Sequence, residues 1–319
     1  MAVQNETEYE DLLGLWSDLE AGLGVVLGSP ANVQEFEARI GQYDRWMQAL
    51  LKRDPDSGLY LLFQLATNSP VGYSASHALV SAVLCHMLAG ELNLNAVERD
   101  ALVHGALTMN IAMTQLQDEL AGQAERPSPR QLDLIRGHSS KGSLMLANLG
   151  IDNTLWLDVV SLHHDERTDQ GDLHTVLPNF RLARILRVVD RYAAMISPRH
   201  SRTGRSTADS IRSILGANKE NIDDVGHALI RTVGLYPPGT YVRLENGAVA
   251  VVMRRSGVSN LPHVAIVIDA SGDLVAQPRL HRTSVSEPRI QAALAASAVR
   301  LQLNHHLVLQ LSAHAAMQT

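Results

Sequence analysis

Two adjacent histidines and a later aspartate are the residues of this chain best suited to chemistry. His163 and His164 stand side by side before a charged loop, and Asp190 follows within an apolar helix pattern. Neighbouring residues point about a third of a turn apart on an α-helix, so both imidazole rings can reach one cavity only near a helix end. Imidazoles and a carboxylate together suit a transition metal such as iron, manganese or zinc. The pattern therefore indicates a metal site built between helices.

Two further histidines lie on separate predicted helices. His77 falls near the start of a helix over about 74–92, and His138 lies on a helix that begins after Ser128. The chain has 14 histidines, and any one of them alone is more often a surface or core residue than a ligand. The candidate metal ligands are therefore considered as a set: His77, His138, His163, His164 and Asp190.

The composition indicates a globular protein and excludes several classes. The chain has 319 residues, of which 45% are hydrophobic and 19% charged, and the length favours more than one domain. A formal net charge of −6, without any run of five or six like charges, argues against a nucleic-acid partner. The single cysteine, Cys85, favours a reducing compartment. Because neither a signal core nor a membrane-spanning apolar stretch occurs, we expect a cytoplasmic protein without membrane contact.

Apolar residues at helical spacing dominate the chain up to about residue 233. They predict two or three amphipathic N-terminal helices over 5–53, which would form a packing or dimerisation layer. Capping boxes that begin at Asn95 and Ser128 predict two more helix starts. The helix after Asn95 is predicted to continue through residue 113 and to carry one apolar stripe, formed by Leu102, Ala106, Met109 and Met113.

The period of the hydrophobic pattern changes to two after Gly239. Alternating segments around Asn246-Gly247 and around Ser271-Gly272 predict β-hairpins. A last amphipathic helix is predicted from about Glu287 to Met317. We therefore expect a mainly α protein with N-terminal helices, a small C-terminal β unit and a terminal helix.

Several short motifs follow one another in a fixed order between about Asp56 and Tyr236. They are His77, Arg136-Gly137-His138 with Gly142, His163-His164-Asp165, Ala183-Arg184-Ile185, Asp190-Arg191-Tyr192, Ser197-Pro198-Arg199 and the run Gly234-Leu235-Tyr236-Pro237-Pro238-Gly239. This order and spacing resemble the HD-GYP branch of the HD-domain phosphohydrolases. The resemblance implies an HD-domain helical bundle and three regions. These are an N-terminal helical region over 1–55, an HD-GYP-like helical domain over 56–235, and a β unit with a terminal helix over 236–319.

Members of this family are bacterial signalling enzymes that hydrolyse cyclic di-GMP with two or three bound metals, often iron. By position, the resemblance implies that Arg199 faces a phosphate of the substrate. It implies five metal ligands, which are the same five residues as the set above: His77, His138, His163, His164 and Asp190.

Departures from the family pattern concern the centre of the site. The family's His-Asp pair falls on Met109 and Asn110, and the phosphate-facing lysine that follows falls on Met113. The Gly-Tyr-Pro loop is not recognisable between Glu166 and Pro178. An asparagine cannot supply the negative charge that bridges two cations, and a methionine thioether is a poor ligand for a divalent site. The two-metal centre is therefore predicted to be lost. Hydrolysis is predicted to be lost with it, because hydrolysis needs a hydroxide activated between two cations.

Three functions stay open at this stage. The first, favoured by the replacements at Met109, Asn110 and Met113, is a catalytically silent regulatory or scaffolding module that binds signalling proteins or forms a homodimer. The second is a metal-dependent phosphohydrolase, active on cyclic di-GMP, with a reduced metal site. The third is a non-hydrolysing nucleotide receptor that uses Arg199.

The cofactor prediction has two corresponding alternatives. One divalent transition metal, iron, manganese or zinc, could stay bound, or the cavity could be filled by apolar side chains and hold no metal. The one-metal site would use His138, His163, His164 and Asp190. The charged loop that follows offers replacement carboxylates at Asp165, Glu166 and Asp169.

Overall fold

The computed structural model describes residues 2–68, 72–197, 206, 209, 210, 213, 224–258, 260–299 and 301–317, without the side chains of residues 2–11, 67 and 68. In these ranges the chain is mainly helical, with a small antiparallel sheet in its C-terminal part, which confirms this part of the prediction. The α-helices are α1 Ala2–Gly28, α2 Phe36–Arg53, α3 Pro55–Asn68, α4 Tyr73–Glu91, α5 Ala96–Thr108, α6 Thr114–Gly122, α7 Pro129–Asn148, α8 Thr154–Leu162, α9 Pro178–Ile196, α10 Asp224–Val233 and α11 His305–Ala316. None of these described helices is long and apolar enough to cross a membrane.

The two predicted capping boxes both form. The Asn95 side chain accepts a hydrogen bond from the backbone of Glu98, whose carboxylate accepts from the Asn95 backbone in return. Ser128 and Gln131 make the same reciprocal pair at the start of α7. Each box satisfies two backbone N–H groups that the first helical turn leaves without partners. These local signals fix where α5 and α7 begin.

The predicted continuous helix through Met113 is wrong. Helix α5 ends at Thr108, a 3₁₀ turn covers Ile111–Met113, and α6 begins at Thr114. The Thr108 hydroxyl donates to the His104 carbonyl at 2.7 Å and accepts the indole N–H of the fully buried Trp156 at 2.9 Å. This contact ties the end of α5 to α8. Met109 is therefore buried at the end of one helix, whereas Met113 lies half-buried in a separate turn.

The central helices α4, α5, α8 and α9 pack against one another and form the core of the helical part. Gly105 allows α5 and α8 to approach closely, because a Cβ atom there would lie 2.8 Å from Cγ1 of Val159. Helix α7 packs against α8 and the 3₁₀ turn after α5. The end of α8 is thereby held between α7 and α9, where the candidate ligands lie.

The strands β1 Tyr241–Leu244, β2 Val249–Arg254, β3 His263–Ile268, β4 Leu274–Arg282 and β5 Ile290–Leu294 form one antiparallel sheet in the order β4-β3-β2-β1-β5. The predicted hairpins around Asn246-Gly247 and Ser271-Gly272 are confirmed as β1–β2 and β3–β4. The helix predicted from Glu287 is wrong in its first half, because Ile290–Leu294 pairs with β1. The helical part of that segment, α11, begins only at His305, after the capping side chain of Asn304.

Two half-buried arginines join the sheet to the helical part. At the end of β2, Arg254 donates from both Nη atoms to Asp54 at 2.9 Å, and Arg255 donates from Nε to Asp56 at 2.6 Å. Asp54 also accepts hydrogen bonds from the backbone and hydroxyl of Ser57 in the first turn of α3. We call the first pair the Asp54–Arg254 clamp. It fixes one end of β2 to the start of α3.

An ion pair between α2 and α5, in which the carboxylate is buried, gives a prediction for the pH dependence of stability. Asp44 accepts from both Nη atoms of Arg99 at 2.5 Å and lies 3.3 Å from Nε2 of His104. Burial acts to raise the pKa of Asp44, but the hydrogen bonds from His104 and Arg99 prevail and hold that pKa well below its usual range. A lowered folded-state pKa gives stability that is present above about pH 4 and is lost as the pH falls further. We expect about 2–3 kcal/mol of unfolding free energy to be lost in this way.

Urea unfolding of the wild type and of Asp44→Asn between pH 6 and 2.5 tests this expectation. The substitution removes the titrating carboxylate, so it should be destabilising at neutral pH and should flatten the acid slope. Asp100→Asn is the matched control, because Asp100 pairs with the same Arg99 but its side chain is 52% exposed. An equal acid slope in wild type and Asp44→Asn would contradict the assignment.

Candidate metal centre

Three of the five predicted ligands meet between α7 and the end of α8. His138 lies on α7, His163 ends α8, and His164 follows it. One nitrogen of each imidazole lies within 4.8 Å of the others, and we call this group the three-histidine cluster. His138 and His163 are buried, whereas His164 is exposed, so the cluster is open to solvent on its His164 side. Convergence of adjacent histidines at a helix end is the arrangement that their spacing required.

Backbone hydrogen bonds fix the tautomers of the two buried rings. Nδ1 of His138 lies 2.5 Å from the Ile135 carbonyl, and Nδ1 of His163 lies 2.7 Å from the Val160 carbonyl. A carbonyl oxygen can only accept, so each Nδ1 carries a proton and donates it. In the neutral rings both Nε2 atoms then present lone pairs, and these atoms lie only 3.2 Å apart. Two lone pairs at this distance repel unless a cation lies between or beside them.

A proton on His163 is a poor candidate for that cation. Burial, with help from the neighbouring His164 and His138, lowers the pKa of His163 to about 3, although Asp190 acts in the opposite direction. Partial desolvation of its ring also lowers the pKa of the more exposed His164, and Asp190 offsets this in part. These rings are therefore neutral at pH 7 and offer unprotonated nitrogens. A set of three imidazoles fits zinc, iron or manganese.

The other two predicted ligands form a pair of their own, the His77–Asp190 pair. Nε2 of His77 lies 2.8 Å from Oδ1 of Asp190, and the ring of Tyr73 stacks on the His77 imidazole. Burial acts to raise the pKa of Asp190, but the hydrogen bond from His77 and the nearby His163 and His164 hold it below its usual range. Asp190 is therefore ionised beside the three-histidine cluster. Nδ1 of His77 is buried and has no hydrogen-bonding partner in the described part of the chain.

The start of helix α4, which carries His77, is capped by a residue of another helix. The residue before it, Gly72, has no side chain that could cap the helix. Asp118 of α6 replaces that cap by accepting from the Ser74 backbone at 2.7 Å and from its hydroxyl at 2.9 Å. The start of α4 is thus fixed, and His77 lies one turn inside it, facing Asp190. Nothing in the local sequence around Gly72 indicates this contact.

The turn on which the family's His-Asp pair was predicted to fall carries no charge. Residues 109–113 are Met, Asn, Ile, Ala and Met. Met109 is buried, and its carbonyl lies against Gly142 of α7. Asn110 is half-buried, and no hydrogen bond of its side chain occurs among the described residues. The turn therefore brings no carboxylate to the cluster.

The predicted phosphate-binding residue, Arg199, lies outside the described residues. A different arginine, Arg187 on α9, lies beside His164 and was missed, although its position three residues before Asp190 on the same helix could have indicated it. Two of the proposed replacement carboxylates are already paired with arginines. Asp165 accepts two hydrogen bonds from Nε of Arg167, and Asp169 pairs with Arg187 at 3.0 Å.

Comparison with known proteins finds a curated relative. The chain is 31% identical over 229 residues to the cyclic di-GMP phosphodiesterase PA4108 of Pseudomonas aeruginosa. The match covers 70% of this chain and 54% of the relative, so the chain spans about half the length of the protein it matches. No protein-family model and no solved structure matches the chain. The match supports relatedness to the cyclic di-GMP phosphodiesterases.

Proposed function

We propose that this chain is a regulatory module of cyclic di-GMP signalling that binds one divalent transition metal and does not hydrolyse cyclic di-GMP. Its helical domain, over 56–235, would be a degenerate HD-GYP-type domain that acts through protein contacts or as a homodimer. The observation that carries the proposal is the pair of Nε2 atoms of His138 and His163, 3.2 Å apart beside a turn without charge. The match to a cyclic di-GMP phosphodiesterase supports the signalling context.

The residues present would hold a metal in a simple way. His138, His163 and His164 would each give one neutral nitrogen, and the backbone carbonyls of Ile135 and Val160 would keep the two buried rings oriented. A bound metal would supply Lewis acidity towards an oxygen ligand. The ionised Asp190, held by His77, would balance the positive charge.

A second metal is disfavoured by charge. Two divalent cations 4 Å apart repel each other by roughly 16 kcal/mol at an effective dielectric constant of 20, so a bridging anion is needed between them. Asn110 offers a neutral amide at the position where the family places its bridging aspartate. Asp190 is the remaining carboxylate of the predicted ligand set, and it is already hydrogen-bonded to His77. The arrangement favours one metal and no two-metal hydrolysis.

Metal analysis combined with a hydrolysis assay tests the proposal. We expect about one equivalent of iron, manganese or zinc per chain after purification and reconstitution, and no product from cyclic di-GMP with any of these metals. An active cyclic di-GMP phosphodiesterase assayed in parallel verifies the substrate and conditions. Two equivalents with turnover would contradict the proposal, and so would a reconstituted protein that retains no metal.

One observation favours a second candidate, a phosphohydrolase that uses a single metal. Because His164 is exposed, the three-histidine cluster is open to solvent, and three protein ligands with one open position are typical of catalytic zinc sites. Turnover of cyclic di-GMP or of a simple phosphodiester by protein with one metal equivalent would favour this candidate. The loss of that turnover in His164→Ala, with unchanged folding, would assign it to the cluster.

A further inference from the structure

A positively charged side chain lies at the solvent side of the three-histidine cluster. Arg187 is on α9, one helical turn before Asp190 and on the same face. Its Nη1 donates to the carbonyl of Asp165, the residue next to His164, at 3.3 Å, and pairs with Oδ2 of Asp169 at 3.0 Å. The guanidinium therefore lies beside the exposed imidazole of His164.

Arg187 is only partly engaged by these contacts. Its side chain is 28% exposed and that of Asp169 is 38% exposed, so solvent weakens their ion pair. Within the described ranges, neither Nε nor Nη2 of Arg187 makes a hydrogen bond. These two groups form one edge of the guanidinium and can bind two oxygens of one anion side by side.

Two of the three carboxylates near Arg187 are held by other side chains. The carboxylate of Asp165 is held by Arg167, and that of Asp190 is held by His77. The third neighbouring carboxylate, that of Asp169, is the one with which Arg187 itself pairs. Because Asp169 belongs to a short 3₁₀ turn, Glu166–Asp169, an incoming anion that binds both Nε and Nη2 can replace it on Arg187.

We propose that Arg187 and His164 form a phosphate subsite at the opening of the three-histidine cluster, which Asp169 occupies when no ligand is bound. The ligand chemistry is a phosphate monoanion or dianion or a phosphodiester, supplied either by inorganic phosphate or by a cyclic dinucleotide. This inference rests on the proposed function, since it names the ligand class of the same site. Arg187 contacts the ligand and does not bind the metal.

Calorimetric titration of the full chain with inorganic phosphate and, separately, with cyclic di-GMP tests the subsite. We expect Arg187→Gln to weaken binding about tenfold, as for the loss of a charge-assisted contact. Asp169→Asn should tighten binding about twofold to fivefold, because it removes the competing carboxylate. Arg231→Gln is the matched control, since Arg231 pairs with Glu91 at the opposite end of α4 from His77. Binding of phosphate alone identifies a free-phosphate site, and tighter, Arg187-dependent binding of cyclic di-GMP identifies a dinucleotide site.

Metal analysis of the same samples separates this inference from the proposed function. One metal equivalent retained in Arg187→Gln, with weaker anion binding, supports both. One metal equivalent with anion binding unchanged, or with no anion bound by the wild type, overturns the subsite alone. Arg187-dependent phosphate binding by a chain that holds no metal overturns the proposed metal site and leaves the subsite.

Discussion

Replacement of His163 by alanine is expected to lower the affinity for the metal by at least about 100-fold. His163 is fully buried, its Nδ1 donates to a carbonyl, and its Nε2 faces that of His138 at 3.2 Å. Without it, one of three donors is missing and the buried His138 nitrogen loses the partner that shares the cation. Competition with a coloured chelator would measure the change in affinity for zinc and for iron(II).

Two controls make this result specific. His174→Ala removes an exposed histidine that follows the cluster in the chain and should leave metal affinity unchanged. His77→Ala should weaken metal binding less, by about tenfold, because His77 acts on Asp190 and lies outside the three-histidine cluster. Circular dichroism of each metal-free variant reports folding separately. Equal metal affinity of wild type and a folded His163→Ala would exclude the cluster as the metal site.

The features that the sequence predicted depend on neighbours in the chain. The capping boxes at Asn95 and Ser128 need residues three positions apart, and the hairpin turns need residues with a permitted positive φ, as at Gly247 and Gly272. The convergence of His163 and His164 follows from adjacency at a helix end. In each case the residues that determine the structure lie within one helical turn or one hairpin.

The features that the sequence did not predict depend on distant partners. The end of α5 is set by Thr108 and Trp156, which are 48 residues apart. The apolar run Ile290–Leu294 is compatible with a helix or a strand, and it is a strand because the free edge of β1 offers backbone partners. His77 and Asp190 are 113 residues apart, so their pairing with each other could not be derived from spacing.

Breaking the Asp54–Arg254 clamp is expected to lower the free energy of unfolding by about 3 kcal/mol. Arg254→Met keeps most of the apolar stem but leaves Asp54, 8% exposed, as a buried carboxylate without its cation. Burial acts to raise the pKa of Asp54, and the hydrogen bonds from Arg254 reverse this and lower it. The same substitution also removes a 3.0 Å contact from Arg254 to Ser312 of α11. Urea unfolding followed by circular dichroism would measure the loss.

A double-mutant cycle decides whether the charge or the packing of Arg254 is responsible. Asp54→Asn keeps the side-chain oxygen that caps α3, so the variant with both Asp54→Asn and Arg254→Met should recover a large part of the stability lost in Arg254→Met alone. Arg289→Met is the matched control in the same sheet region, because its ion pair with Glu287 is exposed and should contribute little. If the double variant were as unstable as the sum of the single ones, the arginine would act through packing alone. Recovery in the double variant would instead establish that opposite charges hold the β unit against the start of α3. Helix α3 directly precedes α4, which carries His77.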